Sequence, residues 1–498
     1  MSLKTHNHAA FSAFILGNPL YRKYLLYSSI FLCAGFILFK LLYPSADYFT
    51  DSLYYIMVAT GDDNGYIRPA GYAFFLKGVH YLFTSSFMLV LIQFLLLQAS
   101  GLYFFFTILY VFRLPDKIAT LLLILIVGNP LSFYAANLVA SDCLFTILSL
   151  LWMTTLIHIV YKPSWGYIIA HTLLLGYILL VRYNALSYPL VVLTALFLSK
   201  MKRSGKVITG VLSVAITVLV IFQLQQHFYR KTGIHQFTNY SGWQTANNAL
   251  YMYSHVPRRS WEIKGTEARR IHRMVKTFFD TSHVTLTNIS PREGSLYMIN
   301  PAGPLKNYLF TVLTKNPKIP FLKAFSITDV AIGDYGRQLV LQHPWEYIRY
   351  YVLPNTMVYL YPPLEQFEYY AEGRTGLFAL AAAWFNIEDP QLTCFHPALQ
   401  QYVLLLAPML FLILHLLLGA SLYMVRPKPA WLVQHPTAAR VITLLLVFVL
   451  ANALFSILAS PVVMRYQLFA FTVLLALVTV LINAIPPLRK LLFGMKDT

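Results

Sequence analysis

The chain has 498 residues, 58% of them hydrophobic and only 11% charged, under half the roughly 25% charge of a soluble protein. Lys and Arg outnumber Asp and Glu by 38 to 19. In so apolar a chain those cations hold cytoplasmic loops in place and meet anionic lipid, so nucleic-acid binding is excluded as the reason for them. The three cysteines, Cys33, Cys143 and Cys394, are too few and too scattered for a disulfide framework or a zinc site.

Met1 to Leu20 is mildly polar and is read as uncleaved, with the first apolar run kept as a span. Apolar runs then recur at 24–43, 85–112, 118–136, 142–160, 166–181, 184–199, 207–225, 400–424, 441–459 and 462–484. About 20 residues at 1.5 Å rise cross a 30 Å hydrocarbon core. The expected fold is therefore an all-α polytopic membrane protein with about 10 transmembrane helices. A further pair of spans within 345–388 would raise the count to 12.

Orientation follows from the short basic loops. Lys4, Arg22 and Lys23 precede the first run, and Arg113, Lys117 and Lys162 fall on the same side. So do the cluster Lys200, Lys202, Arg203 and Lys206, then Arg426, Lys428 and Arg440, then Arg489, Lys490 and Lys496. Ten alternating crossings put all of them, and both termini, in the cytoplasm. Two longer segments then lie outside, since long loops translocate regardless of their charge. One is an acidic loop, 44–84, which completes an N-terminal transmembrane module, 1–225. The other is 226–398, read as an extracytoplasmic domain of mixed structure, ahead of the C-terminal helices of 399–498. Within that domain Thr266 to Phe278 reads as a helix with Thr266 as cap. The aromatic, amphipathic stretch Pro344 to Leu360 reads as lying on the membrane surface.

The acidic loop, DYFTDSLYYIMVATGDDNGYIRPAGY, holds the densest candidate chemistry. Acids beside lipid are costly and usually functional. Asp51 opens a helix that includes Tyr55, and either it or Asp47 could simply serve the helix N-terminus. Asp62 and Asp63 form a turn-like pair, the one place where a divalent cation would find oxygen ligands. More often such a DDNG stretch is simply a solvated turn. Arg68-Pro69 leads through Tyr72 into an apolar helix, Ala73 to Phe83. Asp142 begins the fourth run, with an N-cap as its alternative role. Arg182 ends the fifth, where a guanidinium suits a phosphate or snorkels. Arg465-Tyr466 begins the last run. Asp51, Arg68, Asp142, Arg182 and Arg465 all map to the outer face, where arginine is disfavoured. His158, His171, Gln93 and Gln98 share no spacing and read as helix–helix hydrogen bonds. The sequons at Asn239 and Asn288 matter only in a eukaryote.

In this order of parts the chain resembles the GT-C type glycosyltransferases, polytopic enzymes that use polyprenyl-phosphate-linked sugars and include the aminoarabinose transferases and protein O-mannosyltransferases. The resemblance rests on Asp51-Ser-x-x-Tyr55, Arg68-Pro-x-Gly-Tyr72, Asp142, Arg182 and Arg465-Tyr466 and spans most of the chain. The family often has an acidic pair where Asp51-Ser52 stands, which makes Asp47 a rival, and an Arg-Pro where this chain has Arg182-Tyr183. The resemblance implies a plasma (inner) membrane enzyme transferring a sugar to a lipid, glycan or protein hydroxyl on the extracytoplasmic face, with inversion. It implies Asp51 as general base, and Arg68, Arg182, Arg465 and a cation of the large loop such as Arg337 around the leaving phosphate. Arginines can meet that charge, so no metal is expected. The competing readings are a glycan polymerase of the O-antigen type and a transporter of lipid-linked saccharides. A polymerase would give the early acidic loop no special role. A transporter would place ionisable groups deep in the bundle and often show repeat symmetry.

Overall fold

The apolar runs become helices where hydropathy places them. A computed structural model describes residues 11–257, 260–281, 289–425, 430–459 and 461–494. Within these, eight helices are long and apolar enough to cross a membrane: Pro19–Leu42, Ser86–Phe112, Asp116–Asn137, Ser141–Tyr161, Arg203–Thr232, Leu399–Met424, Pro436–Ala459 and Met464–Ala484. Two shorter apolar helices, Trp165–Val181 and Tyr183–Leu198, lie on the fifth and sixth runs. The chain is a multi-pass helical membrane protein. Lys4, Arg426, Lys428 and Lys496, used above for orientation, and Asn288 of the second sequon lie outside the described residues.

Burial sorts these helices. Ser141–Tyr161 and Met464–Ala484 are almost wholly covered by neighbours, whereas Pro19–Leu42 and Arg203–Thr232 expose most of their apolar surface, as helices on a lipid-facing periphery do. Three of the four buried polar residues read as helix–helix hydrogen bonds pair in that way, while the buried Gln98 amide nitrogen finds no partner among the described residues. Gln93 Nε2 donates to the Ala136 carbonyl at 2.8 Å, His171 Nε2 lies 2.9 Å from Ser213 Oγ, and His158 Nε2 lies 3.3 Å from Thr107 Oγ1.

The acidic loop folds as two short helices, Thr50–Thr60 and Gly71–Leu82, joined through a single turn of 3₁₀ helix, Asp63–Ile67. Gly61 ends the first of them in the left-handed region, at φ 95°, where a side chain is disfavoured. Gly65 then lies flat on that helix. A Cβ there would stand 2.5 Å from the Tyr54 carbonyl oxygen.

The 226–398 segment departs from the expected mixed structure. It is helical, with no strand among the described residues. Ser241–Tyr253, Thr266–Thr281, Pro304–Lys315 and Phe321–Gln342 enclose a second hydrophobic core that includes Trp243, Leu250, Ile271, Leu305, Ile332 and Tyr335. The helices 241–253 and 321–342 approach so closely that a Cβ on Gly333 would stand 2.7 Å from the Gly242 Cα. Glycine allows this approach, and the helix contact replaces sheet pairing as the domain's organising interaction. This core runs from Phe228 to Tyr351 and takes in Ile67 from the acidic loop, while Val358 to Phe385 join the core of the bundle. Residues 344–360 are helical throughout, with a π turn at Ile348–Val352, and leave Trp345, Leu353 and Met357 exposed. From there to residue 398 follow short turns and one six-residue helix, Ala379–Trp384. Among the described residues, no helix within 345–388 is long and apolar enough to cross a membrane.

Candidate functional site

Charged residues from four separated parts of the chain meet where the bundle core abuts the 228–351 core. Asp142 stands in the first turn of the Ser141–Tyr161 helix, where a carboxylate complements the positive end of the macrodipole. It does not cap that helix; Ala140 holds the cap position without a side-chain bond. Its carboxylate, 2% exposed, instead receives Arg182 through one oxygen and Arg465 Nη1 at 3.2 Å through the other. Arg182 follows the C-terminus of Trp165–Val181, a place that favours a cation. Arg465 has no such help at the start of its helix, and carboxylates supply it.

Asp51 is the second of them. It sits in the first turn of Thr50–Thr60, where Ser52 Oγ accepts the Phe49 N–H at 3.1 Å and so leaves the Asp51 carboxylate free for longer contacts. Arg68 Nη2 donates to Asp51 Oδ1 at 2.5 Å, and Arg465 Nη2 lies 3.9 Å from Oδ2. One carboxylate therefore links a cation from the acidic loop to a cation from the last span. Arg68 is aimed by its turn, whose Ile67 is anchored in the second core, and its guanidinium lies 4.6 Å over the Tyr240 ring. Tyr466 is sandwiched, with Arg182 at 3.9 Å and Arg465 at 4.4 Å from its ring centroid, and its hydroxyl accepts from Arg465 Nη2 at 2.8 Å.

Tyr55 and Tyr72 support this cluster from beneath. The Tyr55 hydroxyl donates to Ser141 Oγ at 2.9 Å, fixing the Asp51 helix to the Asp142 helix. Tyr72 is fully buried, donates to Gln93 Oε1 at 2.9 Å, and meets Tyr55 edge to face at 4.9 Å.

Four residues singled out from sequence stand elsewhere. Asp47 is 4% exposed, and its Oδ1 accepts the Ala371 N–H at 3.0 Å, holding the 365–373 turns against the bundle. Burial pushes its carboxyl up to about 8, the Ala371 amide opposing. Arg337 is two-thirds exposed and faces Asp334 at 3.8 Å on its own helix, outside the cluster. Asp62 caps the Asn64 N–H at 2.9 Å while Asp63 pairs with Lys231 at 2.7 Å, so the two acids do not converge. No group of three or more metal-ligating side chains occurs among the described residues.

The sequence reading missed Glu365. Its Oε2 lies 3.6 Å from Arg465 Nε, and both atoms are buried without a hydrogen-bond partner. Burial raises its carboxyl, with Arg465 opposing. Its backbone is left-handed, φ 53°, a strained choice for glutamate. In YPPLEQFEYY it reads as a surface acid. The only hint is the Pro362-Pro363 pair, whose Pro363 carbonyl accepts the Met464 N–H at 2.8 Å and so brings Glu365 beside Arg465.

The finished site has three guanidiniums, Arg68, Arg182 and Arg465, against three carboxylates, Asp51, Asp142 and Glu365. The Nε atoms of Arg68 and Arg465 are buried and have no hydrogen-bond acceptor. Comparison with known proteins gives no match to any family model, curated protein or solved structure.

Proposed function

We propose that the chain is an integral membrane glycosyltransferase of the GT-C type, moving a sugar from a polyprenyl-phosphate donor to an acceptor hydroxyl on the extracytoplasmic face. The observation that carries this reading is the Asp51 carboxylate set between Arg68 and Arg465, with the buried Arg68 Nε left without an acceptor and the Arg465 Nε facing only Glu365, at 3.6 Å. A buried donor left unpaired costs free energy, and an anionic oxygen from a ligand would satisfy it. Arg182, stacked on the same tyrosine as Arg465, adds a second cation on the last-span side of Asp51.

In this reaction the acceptor oxygen attacks the anomeric carbon as its proton passes to Asp51. The bond from that carbon to the phosphate oxygen breaks, and its electron pair leaves on the phosphate. Fixed guanidiniums stabilise the growing charge best where water is excluded. A single displacement inverts the anomeric centre. The early-loop residues Asp51 and Arg68 stand in one cluster with Arg465, which favours a transferase over a polymerase of the O-antigen type.

The test is Asp51→Asn. Sugar transfer should fall by about 10²–10⁴-fold, while the protein still inserts and a polyprenyl-phosphate sugar still raises its thermal stability by mass action. Normal transfer by both Asp51→Asn and Asp47→Asn would sink the mechanism.

A further inference from the structure

One cation beside this site has no counter-charge. Lys306 stands in the first turn of the Pro304–Lys315 helix, the end at which a cation is disfavoured. No hydrogen bond or ion pair is formed by its ammonium among the described residues. Burial lowers its pKa, and the positive charge of Arg68 lowers it further. A buried carboxylate of that domain, Asp329, is spent on the Gly242 and Trp243 amides at 2.8 and 3.0 Å.

Lys306 and Arg68 share a shelf. Tyr240 and Trp243 are one helical turn apart, and both rings pack on Phe325, at 5.3 and 4.8 Å. Arg68 lies 4.6 Å over Tyr240 and Lys306 Nζ 5.5 Å over Trp243. Two neighbouring cations on adjacent aromatic faces repel one another, and the buried Arg68 Nε lacks an acceptor. An anion between them would relieve the repulsion and fill that donor.

The two oxygens of Asp51 separate this pair from the other arginines. Oδ1 faces Arg68 on the side of the outer domain, and Oδ2 faces Arg465 at the end of the last span. A transfer reaction needs two substrates to meet at one base from two sides. A lipid-borne donor reaches the span side, which leaves the outer side to the acceptor. We propose that Arg68 and Lys306 form a second binding site, for an anionic phosphate or carboxylate group carried by the acceptor substrate. Naming the acceptor rests on the transferase reading; the anion site itself does not.

The experiment titrates the full-length protein in detergent with inorganic phosphate, and separately with gluconate, at constant ionic strength, following the thermal unfolding midpoint. Wild type should be stabilised by one or both. Lys306→Gln, a change at a partly exposed position, should weaken that anion roughly tenfold or more, and Lys306→Arg should retain it. The stabilisation given by a polyprenyl-phosphate sugar should be unchanged in Lys306→Gln. A response to phosphate alone assigns a phosphorylated acceptor, and one to gluconate alone a carboxylated one. Equal anion affinity in wild type and Lys306→Gln overturns the site. Equal loss of the lipid donor's effect in Lys306→Gln also overturns it, because Lys306 would then belong to the donor. If no polyprenyl-phosphate sugar stabilises wild type but Lys306-dependent anion binding persists, the transferase reading fails and the anion site stands.

Discussion

Asp142→Asn separates two readings of one residue by the size of its effect. As a helix cap, Asp142 would contribute about 1 kcal/mol, and asparagine would serve equally well. In the structure it is the shared counter-charge of two buried guanidiniums, Arg182 and Arg465, with side chains 12% and 5% exposed. Removing one partner of a buried ion pair costs about 3–5 kcal/mol, because the remaining charge stays desolvated. Asparagine keeps one oxygen that can accept from either arginine, so the low end, about 3 kcal/mol, is expected. The assay is the free energy of unfolding in SDS-containing mixed micelles. A double-mutant cycle with Arg182→Met removes the stranded charge and should recover part of the loss, a coupling of about 1–3 kcal/mol. A loss below about 1 kcal/mol, or strict additivity in the cycle, would refute the shared-counter-charge account.

Two further outcomes test the surroundings of the site. The Asp47 carboxyl titrates near 8 when folded against an ordinary 3.8, so the folded state binds the extra proton between those values. Its contribution to stability is full below about 4 and is lost as pH rises through about 8. Asp47→Asn should therefore flatten the fall in thermal stability across that window and be the more stable form at pH 8; parallel pH profiles would contradict this. Gly333→Ala places a methyl 2.7 Å from the Gly242 Cα and should destabilise the 228–351 core by about 1–3 kcal/mol through overpacking. Limited proteolysis should then cut within 241–342 sooner than in wild type while the apolar spans stay protected; unchanged proteolysis would show that the crossing can yield.

How much of this was legible depended on whether lipid framed the residue. Uninterrupted apolar runs of about 20 residues have one structural solution in a bilayer, so span positions could be read directly. The same frame exposed Arg182 and Arg465, because a charge abutting an apolar run stands out. In the 226–398 segment no such frame exists. Its Tyr, Trp and Phe residues suit strands and helices alike, and the decision rested on Gly242, Gly333 and Gly336 admitting a close helix crossing, which composition does not reveal. What sets Asp47 apart from Asp51, one turn away, is an amide 324 residues distant, the Ala371 N–H that bonds Asp47. Glu365 reaches the site by tertiary contact, with only the neighbouring Pro362-Pro363 pair to set it apart in sequence from a solvated surface charge, and nothing near Lys306 marks it at all.

Charge balance constrains what the site can bind. Burying three guanidiniums beside a membrane core is tolerable because three carboxylates accompany them. An anion that enters this neutral set must compete with a carboxylate already in place or recruit a cation from outside it. Glu365 is the least committed of the three acids: it touches Arg465 only at 3.6 Å, its side chain is 32% exposed, and its backbone is strained. Asp142 by contrast is closed off by two arginines. The first anion to bind should therefore meet Arg465 where Glu365 now stands, and a second should seek Lys306, the cation outside the balance. Asp51 lies between these two places. A site whose counter-ions are unequal in this way can admit two anionic groups in sequence without leaving any of its three buried arginines unpaired at any stage.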